Sequence, residues 1–170
     1  MGLETDRLLL RRLEPDDAAF ILELVNDPDW HRFIGDHGVQ TLDDARRYLD
    51  AGPLTMYRQH GHGLNLVLDK ASNQPAGLCG LLRRSDLDEP DLGFALLPAY
   101  RGRGFAFEAA GAVLEHGFDG LGYEQVVAIA NPANAASIGL LERLGFVFDG
   151  HRQTEPNAAR TALYRYRNRR

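Results

Sequence analysis

Apolar residues recur along the chain with two different spacings, one typical of strands and the other of helices. Strict alternation of apolar and polar residues, as in the segment LNLVLD, is typical of a strand with one buried face. The predicted strands are Arg7–Leu13, Leu64–Asp69, Ala76–Leu82, Asp91–Leu97, Gln125–Ile129, Phe146–Gly150 and Ala162–Arg167. The turn ASNQP joins the second and third of these strands into a hairpin.

Helices are predicted where apolar residues lie three and four apart between capping residues. Thr41 followed by Asp44 resembles a capping box at a helix start. Asn131 resembles an N-cap with Pro132 at the first helical position, and Gly145 suits a left-handed C-cap. The predicted helices run from Pro15 to Asp27-Pro28, from Thr41 to about Asp50, from Phe105 to about Phe118, and from Asn131 to Gly145.

These elements follow one another as β-α-α-β-β-β-α-β-α-β-β. A doubly wound fold is excluded because the helices are too few and the middle strands are consecutive, so we predict a mixed α+β sheet. A length of 170 residues fits one domain over residues 1–170 with a single sizeable core.

Composition and charge narrow the class of protein. The chain has 44% apolar and 25% charged residues, as an ordinary globular protein does. Its net charge of −5 argues against a dedicated nucleic-acid binder, which usually has a basic excess. We see neither a signal peptide nor a membrane span, so we expect a cytoplasmic protein without a membrane partner. The basic tail RYRNRR is either a solvated end or a contact for an acidic partner.

A glycine–arginine turn at Arg101–Gly104 separates a predicted strand from a predicted helix. The first amides of a helix have no partner and favour an anion, and glycine lets the backbone approach a ligand closely. The segment Gly102–Ala106 is therefore a candidate cradle for a diphosphate, with Arg101 and Arg103 as additional donors. A plain solvated turn is the alternative. The lysine–serine end of a P-loop and the third glycine of a dinucleotide loop are both missing.

Two motifs together resemble one enzyme family. RGRGFA (Arg101–Ala106) is similar to the Q/R-x-x-G-x-G/A signature of the GCN5-related N-acetyltransferases, or GNAT superfamily. The strings DLGFALLPAYRGRGFAFEA and NPANAASIGLLERLGF resemble its RimJ/RimL branch, as does the opening LETDRLLLRRLEPDDA. The resemblance covers nearly the whole chain. It implies a three-layer α/β/α sandwich, acetyl-CoA as the acetyl donor, and a primary amine as the acceptor.

The resemblance also implies where the donor binds. The amides of about Arg103–Ala106 would hold the pyrophosphate, while the end of the preceding strand would pair with the pantetheine arm like an added strand. The amide of Leu97, or of a neighbour, would face the thioester oxygen. The cofactor-binding residues implied in this way are Leu96, Leu97, Arg101, Gly102, Arg103, Gly104, Phe105, Ala106 and Asn134.

Catalytic candidates follow from the same resemblance, with one departure. Many members place a tyrosine near the sulfur as an acid, and Leu141 stands at that position here. The RimJ/RimL branch implies Ser137 as the acid instead, although a purely local hydrogen bond is the alternative. Asp91 would act as a base through water. Glu108 is a second catalytic carboxylate, or merely a charge that suits the helix dipole.

Other reactive residues are interpreted as structural. Cys79 cannot form an internal disulfide, and its apolar strand argues against a nucleophile. His60 and His62 indicate a loop rather than a metal site, so no metal is expected. The region of Trp30, His31 and Phe33 either borders the acceptor site or caps the core.

Three functions stay open at this point. The first is an N-acetyltransferase acting by direct attack on a protein N-terminus or a small amine. The second is a non-catalytic acyl-CoA-binding sensor or scaffold, which the missing tyrosine favours. The third is a nucleotide-binding protein, which the consecutive middle strands disfavour. Dimers are common in such families, and the sequence contains no decisive interface stripe.

Overall fold

One mixed sheet forms the centre of the fold. The computed structural model describes residues 2–168, so Arg169 and Arg170 of the basic tail lie outside the described residues. The strands are β1 (Leu3–Glu4), β2 (Leu8–Arg12), β3 (Leu64–Asp69), β4 (Gln74–Leu82), β5 (Asp91–Leu96), β6 (Gln125–Ala130), β7 (Val147–Arg152) and β8 (Thr161–Arg167). They lie in the order β1-β2-β3-β4-β5-β6-β8-β7, and β5–β6 is a parallel pair among antiparallel ones. The predicted α+β class is confirmed.

Helices cover the sheet on both sides. They are α1 (Ala18–Val25), α2 (Pro28–Phe33), α3 (Leu42–Leu49), α4 (Thr55–His60), α5 (Phe105–Glu115) and α6 (Ala135–Leu144). Helices α1 to α3 pack with Leu66 and Leu78, whereas α5 and α6 pack with the adjacent residues Val67 and Cys79. Successive strand residues point to opposite faces, so these are the two outer layers of the expected sandwich. Among the described helices, none is long and apolar enough to cross a membrane.

Two short helices are absent from the sequence-based prediction. Asp27-Pro28 follows the end of α1 at Val25, as expected, but it also begins α2, where Pro28 occupies a first-turn position that suits its fixed φ. The second predicted helix, α3, ends at Leu49, next to the predicted Asp50, but the chain stays helical beyond it. A π-helical turn at Asp50–Leu54 carries the chain past Pro53 into α4.

The start of α6 corrects the prediction at Asn131 and Pro132. The N-cap is Asn134, whose Oδ1 accepts a hydrogen bond from the Ser137 amide at 3.2 Å. Asn131 instead accepts from the Ala133 amide at 2.9 Å and closes a turn before the helix. Two asparagines three residues apart both suit an N-cap, which is why the sequence pattern misplaces the boundary.

Strands β5 and β6 are joined at one end and then separate. Their ladder contains the single register pair Asp91–Val127, beside which the Val127 amide donates to Pro90 at 2.9 Å. β5 nevertheless continues to Leu96 and β6 to Ala130. Because the two strands run parallel, both end at the same edge of the sheet. The N-termini of α5 and α6 therefore lie on either side of a gap between the strands.

Neither outer strand of the sheet is long and regular. β1 has two residues. β7 changes register against β8 between Phe148 and His151, and Gly150 within that irregularity has a φ of +102°. An irregularity of this kind bends the strand and leaves residues without ladder partners.

A cluster of polar groups fastens the first turn of α5 to the turn between β1 and β2. One oxygen of Glu108 accepts from Thr5 Oγ1 at 2.6 Å and from the Arg7 amide at 3.2 Å. The other accepts from Arg7 Nε at 2.9 Å. Arg7 Nη1 also donates to the Arg103 carbonyl at 2.8 Å. The start of α5 and the turn before it are thereby held against the sheet.

We expect Glu108→Gln to lower the free energy of unfolding by about 1–2 kcal/mol, because it weakens hydrogen bonds to a charged, partly buried group. Burial acts to raise the pKa of Glu108, but hydrogen bonds from Thr5 and Arg7 outweigh it and hold that pKa below its ordinary value of 4.5. This stabilisation is therefore present at neutral pH and is lost as the pH falls through the lowered pKa. Urea unfolding at several pH values measures it.

The matched control is Asp43→Asn, since Asp43 pairs with Arg46 while 76% of its side chain is exposed. Exposed pairs contribute little, so we expect a change below about 0.5 kcal/mol. Equal losses in both variants, or a loss for Glu108→Gln that persists in acid, would contradict the anchoring role.

Candidate active site

The turn before α5 presents a row of unpaired backbone amides. Gly102 and Gly104 adopt φ of +73° and +78°, a left-handed conformation that favours glycine. The first intrahelical bond runs from the Glu108 amide to the Gly104 carbonyl at 3.1 Å. Within residues 2–168, no acceptor bonds the amides of residues 102–107. Such a row at a helix N-terminus is suited to an anion.

Two arginines lie beside this row of amides. Arg103 stacks on the rings of Phe105 and Tyr100, with its guanidinium carbon 4.5 Å and 5.7 Å from the ring centroids. Arg7 lies over the Phe105 ring at 4.7 Å, and its Nη2 is 3.3 Å from where a Cβ on Gly104 would stand. These positive charges strengthen the attraction for an anion at the turn.

Arg101, predicted as a further donor to a diphosphate, has its side chain in other contacts. Its Nη2 contacts Asp27 Oδ2 at 2.6 Å and its Nη1 contacts Asp29 Oδ2 at 2.6 Å. Its Nε donates to the Leu96 carbonyl at 3.1 Å. The guanidinium is thus committed to α2 and to the end of β5.

The amide of Leu97 is paired, whereas that of its neighbour Leu96 faces the gap. The Leu97 amide donates to the Ala76 carbonyl at 2.9 Å, so it is not available to a thioester. Hydrogen-bonded pairs alternate along an antiparallel ladder. The amides of Ala95 and Leu97 therefore face β4, while those of Phe94 and Leu96 face the gap. Phe94 is a candidate site residue that the sequence motif did not identify, because strand register cannot be derived from the motif.

Asn134 and Ser137 are joined at the start of α6, on the other side of the gap. Besides its Oδ1 contact with the Ser137 amide, Asn134 donates through Nδ2 to Ser137 Oγ at 3.1 Å. Since Ser137 Oγ accepts this bond, its own hydrogen stays free to be donated. Both side chains are partly buried. Leu141, one turn further along, is 1% exposed and belongs to the core.

The two predicted catalytic carboxylates have different surroundings. Glu108, predicted as a catalytic carboxylate, is bound by Thr5 and Arg7 on the sheet side of α5, which makes it an anchor of that helix. Asp91 is 2% exposed and lies where β5 and β6 begin to separate. Burial raises the pKa of Asp91, and the Arg84 guanidinium at 2.6 Å opposes that shift.

The sheet face that carries Asp91, here called the open face, is lined by charged side chains beside the gap, although Asp91 and Val127 themselves are 2% and 0% exposed. Asp91, Val127 and Arg165 are register partners across β5, β6 and β8, so their side chains share that face. The opposite face is covered by α5 and α6. Arginines neutralise the carboxylates on the open side: Arg84 with Asp91, Arg152 with Asp86 at 2.6 Å, and Arg165 with Glu89 at 2.5 Å and Asp149 at 3.0 Å.

The remaining reactive side chains have structural positions. Burial raises the pKa of Cys79 to about 12, so its thiol stays protonated and unreactive. His62 Nδ1 lies 2.8 Å from the Leu81 carbonyl and its Nε2 lies 2.7 Å from the Tyr123 hydroxyl, which requires the proton on Nδ1. Burial lowers the pKa of His62. Across the described part of the chain, His, Cys, Asp and Glu form no group of three able to hold a metal.

Trp30, His31 and Phe33 all lie in α2 but have different exposures. Trp30 is buried and packs in one cluster with Leu97, just beyond the end of β5. His31 is exposed and Phe33 is partly buried. α2 therefore borders the open face at the end of the gap, with its tryptophan directed to the core.

The sequence of this chain matches those of known proteins over most of its length. The sequence model of the family described as "Acetyltransferase (GNAT) domain" matches residues 7–147. The uncharacterised protein YkkB of Bacillus subtilis is 30% identical over 148 residues, covering 84% of this chain and 83% of that protein. The fold and the family resemblance predicted from the motifs are confirmed.

Solved structures agree over nearly the full length. An acetyltransferase from Agrobacterium tumefaciens superposes with a TM-score of 0.82 at 25% identity, covering 99% of this chain and 95% of that one. RimL, a ribosomal L7/L12 α-N-protein acetyltransferase in complex with coenzyme A, gives a TM-score of 0.84 at 16% identity, with 98% of each chain covered. At that identity the second likeness concerns the fold alone.

Proposed function

Because the chain belongs to the GNAT acetyltransferase family, whose members transfer acetyl groups to amines, we propose that it takes the acetyl group from acetyl-CoA and passes it directly to an amine. Both substrates would be bound at once in the gap between β5 and β6. The observation that carries the proposal is the row of unpaired amides at residues 102–107, beside a free strand edge.

The amides of residues 102–107 suit the pyrophosphate of the donor. Two consecutive phosphates need several donors spread along one stretch of backbone, and left-handed Gly102 and Gly104 turn these amides outward. Arg103 and Arg7 add positive charge nearby without closing the turn. The proposed pyrophosphate site is thus Gly102–Ala106 with Arg103. Arg101 is left out of it because its side chain is paired with Asp27 and Asp29.

The edge of β5 suits the pantetheine arm, whose amides pair with a strand as a peptide does. Phe94 and Leu96 offer the amides that face the gap. The amide of Phe94 or of Leu96 is the proposed donor to the thioester oxygen. Of the two, Phe94 lies further into the gap. A preorganised donor of this kind stabilises the transition state by about 3–4 kcal/mol.

Ser137 is the proposed acid for the leaving sulfur, and Asn134 the residue that orients it. Bound acetyl-CoA would supply a thioester whose sulfur leaves as a thiolate. A free thiol has a pKa of about 8.5, so the thiolate readily takes up a proton from a nearby acid. Asn134 holds the serine oxygen by donating to it, which leaves the hydroxyl hydrogen available for another acceptor. The alternative acid, a side chain at Leu141, is excluded by chemistry and by burial.

Asp91 is the proposed base, acting through water at the narrow end of the gap. A carboxylate whose pKa is raised by burial accepts a proton more readily than an exposed one. The acceptor would approach over the open face. Since the carboxylates there are paired with arginines, we propose an acceptor with one amine, such as a peptide α-amine, rather than a polyamine.

The pKa of the acceptor supports the same choice. An α-amine has a pKa of about 7.7–8.0, so a substantial fraction is neutral at about pH 7.5, whereas an alkyl amine with a pKa of about 10.4 is almost fully charged. A single base held in an ion pair is therefore best matched to the α-amine of a peptide or of a small molecule.

The test of the whole proposal is release of free coenzyme A from acetyl-CoA. We expect thiol release with an alanine-led peptide that has a free α-amine, and none with the same peptide acetylated at its N-terminus. Spermidine should react more slowly than the free peptide. Acetyl-CoA binding by calorimetry without thiol release from any amine would instead support the non-catalytic acyl-CoA-binding alternative, which buried Leu141 favours.

Gly104→Glu should abolish acetyl-CoA binding in calorimetry. The substitution places a carboxylate among amides meant for phosphates and forces a side chain into a conformation with φ of +78°. Gly61→Glu is the matched control, because Gly61 has the same φ of +78° at the end of α4 with no atom within 4 Å of an added Cβ. Unchanged affinity in folded Gly104→Glu would refute the pyrophosphate assignment.

Ser137→Ala should lower kcat about 100-fold, the lower limit for loss of a general acid, while acetyl-CoA affinity changes little. Ser72→Ala serves as the control, since Ser72 makes a comparable local hydrogen bond, to Asp69 at 2.9 Å, in the turn between β3 and β4. Steady-state kinetics with the peptide acceptor measures both variants. A normal kcat for Ser137→Ala would assign protonation of the sulfur to water.

A further inference from the structure

Arg101 links three parts of the site with one guanidinium group. Its two terminal nitrogens contact Asp27 and Asp29 at the start of α2, and its Nε contacts the Leu96 carbonyl at the end of β5. The Arg101 backbone itself begins the turn whose amides are unpaired. The donor turn and α2 are therefore connected through a single side chain.

Asp27 lies at the N-cap position of a helix but forms an ion pair in place of a cap. It occupies the N-cap position of α2, with extended φ and ψ of −60° and 136°, yet its side chain makes no capping hydrogen bond. The carboxylate, 8% exposed, is directed to Arg101 instead. A residue at an N-cap usually satisfies the first helical amides. Here that interaction is replaced by the ion pair, so the position of α2 depends on Arg101.

Trp30 shows that the packing of α2 is incomplete. Its side chain is 6% exposed, and its indole N–H is buried without an acceptor among residues 2–168. Buried donors are normally paired, because an unpaired one costs free energy. A small movement of α2 that gives this N–H a partner would therefore be favourable.

We infer that Arg101 is a positioning residue, which couples occupation of the donor turn to the position of α2. The inference rests on the proposed function, because it assigns the acetyl-CoA pyrophosphate to the amides that follow Arg101. α2 packs through Trp30 beside Leu97 and borders the open face over which an acceptor approaches. Binding of the donor would in this way set one wall of the acceptor site before transfer.

The chain contains a suitable reporter for this coupling. Trp30 is the single tryptophan of the sequence and lies in α2, so tryptophan emission, excited selectively over that of tyrosine, reports on that helix. We expect titration of the wild-type protein with coenzyme A to shift Trp30 emission. In Arg101→Gln the emission shift should be lost, while the calorimetric affinity for coenzyme A stays close to that of the wild type, because the guanidinium does not face the amides.

Two further variants separate positioning from phosphate binding. Arg101→Lys keeps a charge that can pair with one carboxylate, and it should restore part of the emission shift. Arg103→Gln should behave in the opposite way, with weaker coenzyme A binding and a normal emission shift at saturation. If Arg101→Gln fails to fold, Asp29→Asn, which removes a half-exposed partner of Arg101, should reduce the shift by itself.

Each outcome either supports or overturns the inference. A coenzyme A affinity that falls in Arg101→Gln as far as in Arg103→Gln would make Arg101 a phosphate ligand and overturn it. Binding to the wild type without an emission shift, or a shift that persists in Arg101→Gln and Asp29→Asn, would overturn it while leaving the proposed function intact. A wild-type protein that binds no coenzyme A would refute both.

Discussion

The separation of β5 from β6 is the constraint on which the rest of the structure depends. In a sheet, backbone groups along a strand are satisfied by the neighbouring strand, and buried groups without partners are costly. β5 and β6 share one register pair at Asp91–Val127 and then diverge, so the gap-facing amides of Phe94 and Leu96 lack a ladder. The turn at residues 102–107 extends this row of open donors beyond the strand. A ligand with an extended, amide-bearing arm and an anionic end complements both.

Much of this arrangement can be derived from the sequence, because its signals are local. Short apolar and β-branched runs locate every strand except β1, and the glycines at 102 and 104 indicate the donor turn through their conformational freedom. Thr41 caps α3 as its pattern predicts. The family motifs RGRGFA and NPANAASIGLLERLGF add the three-layer arrangement and the likeness to acetyltransferases.

The parts that the sequence does not reveal are those decided by distant partners. The role of Glu108 depends on Thr5 and Arg7, about a hundred positions earlier in the chain, and no local pattern specifies that meeting. Likewise, strand register directs the Leu97 amide toward Ala76 and away from the gap. The pairing of Arg101 with Asp27 depends on α2, a short helix that the sequence pattern does not reveal. Its proline, Pro28, is compatible with the end of one helix as well as with the start of the next.

An open strand edge in the middle of a sheet carries a hazard, because exposed ladders recruit other chains as well as ligands. This protein restricts that hazard at its periphery. One margin ends in the two residues of β1, and the other is deformed by the irregularity around Gly150 in β7. Neither margin offers a long flat template for aggregation. The sheet can thus leave the edge of β5 unpaired for a small molecule, while its outer strands β1 and β7 disfavour pairing with other chains.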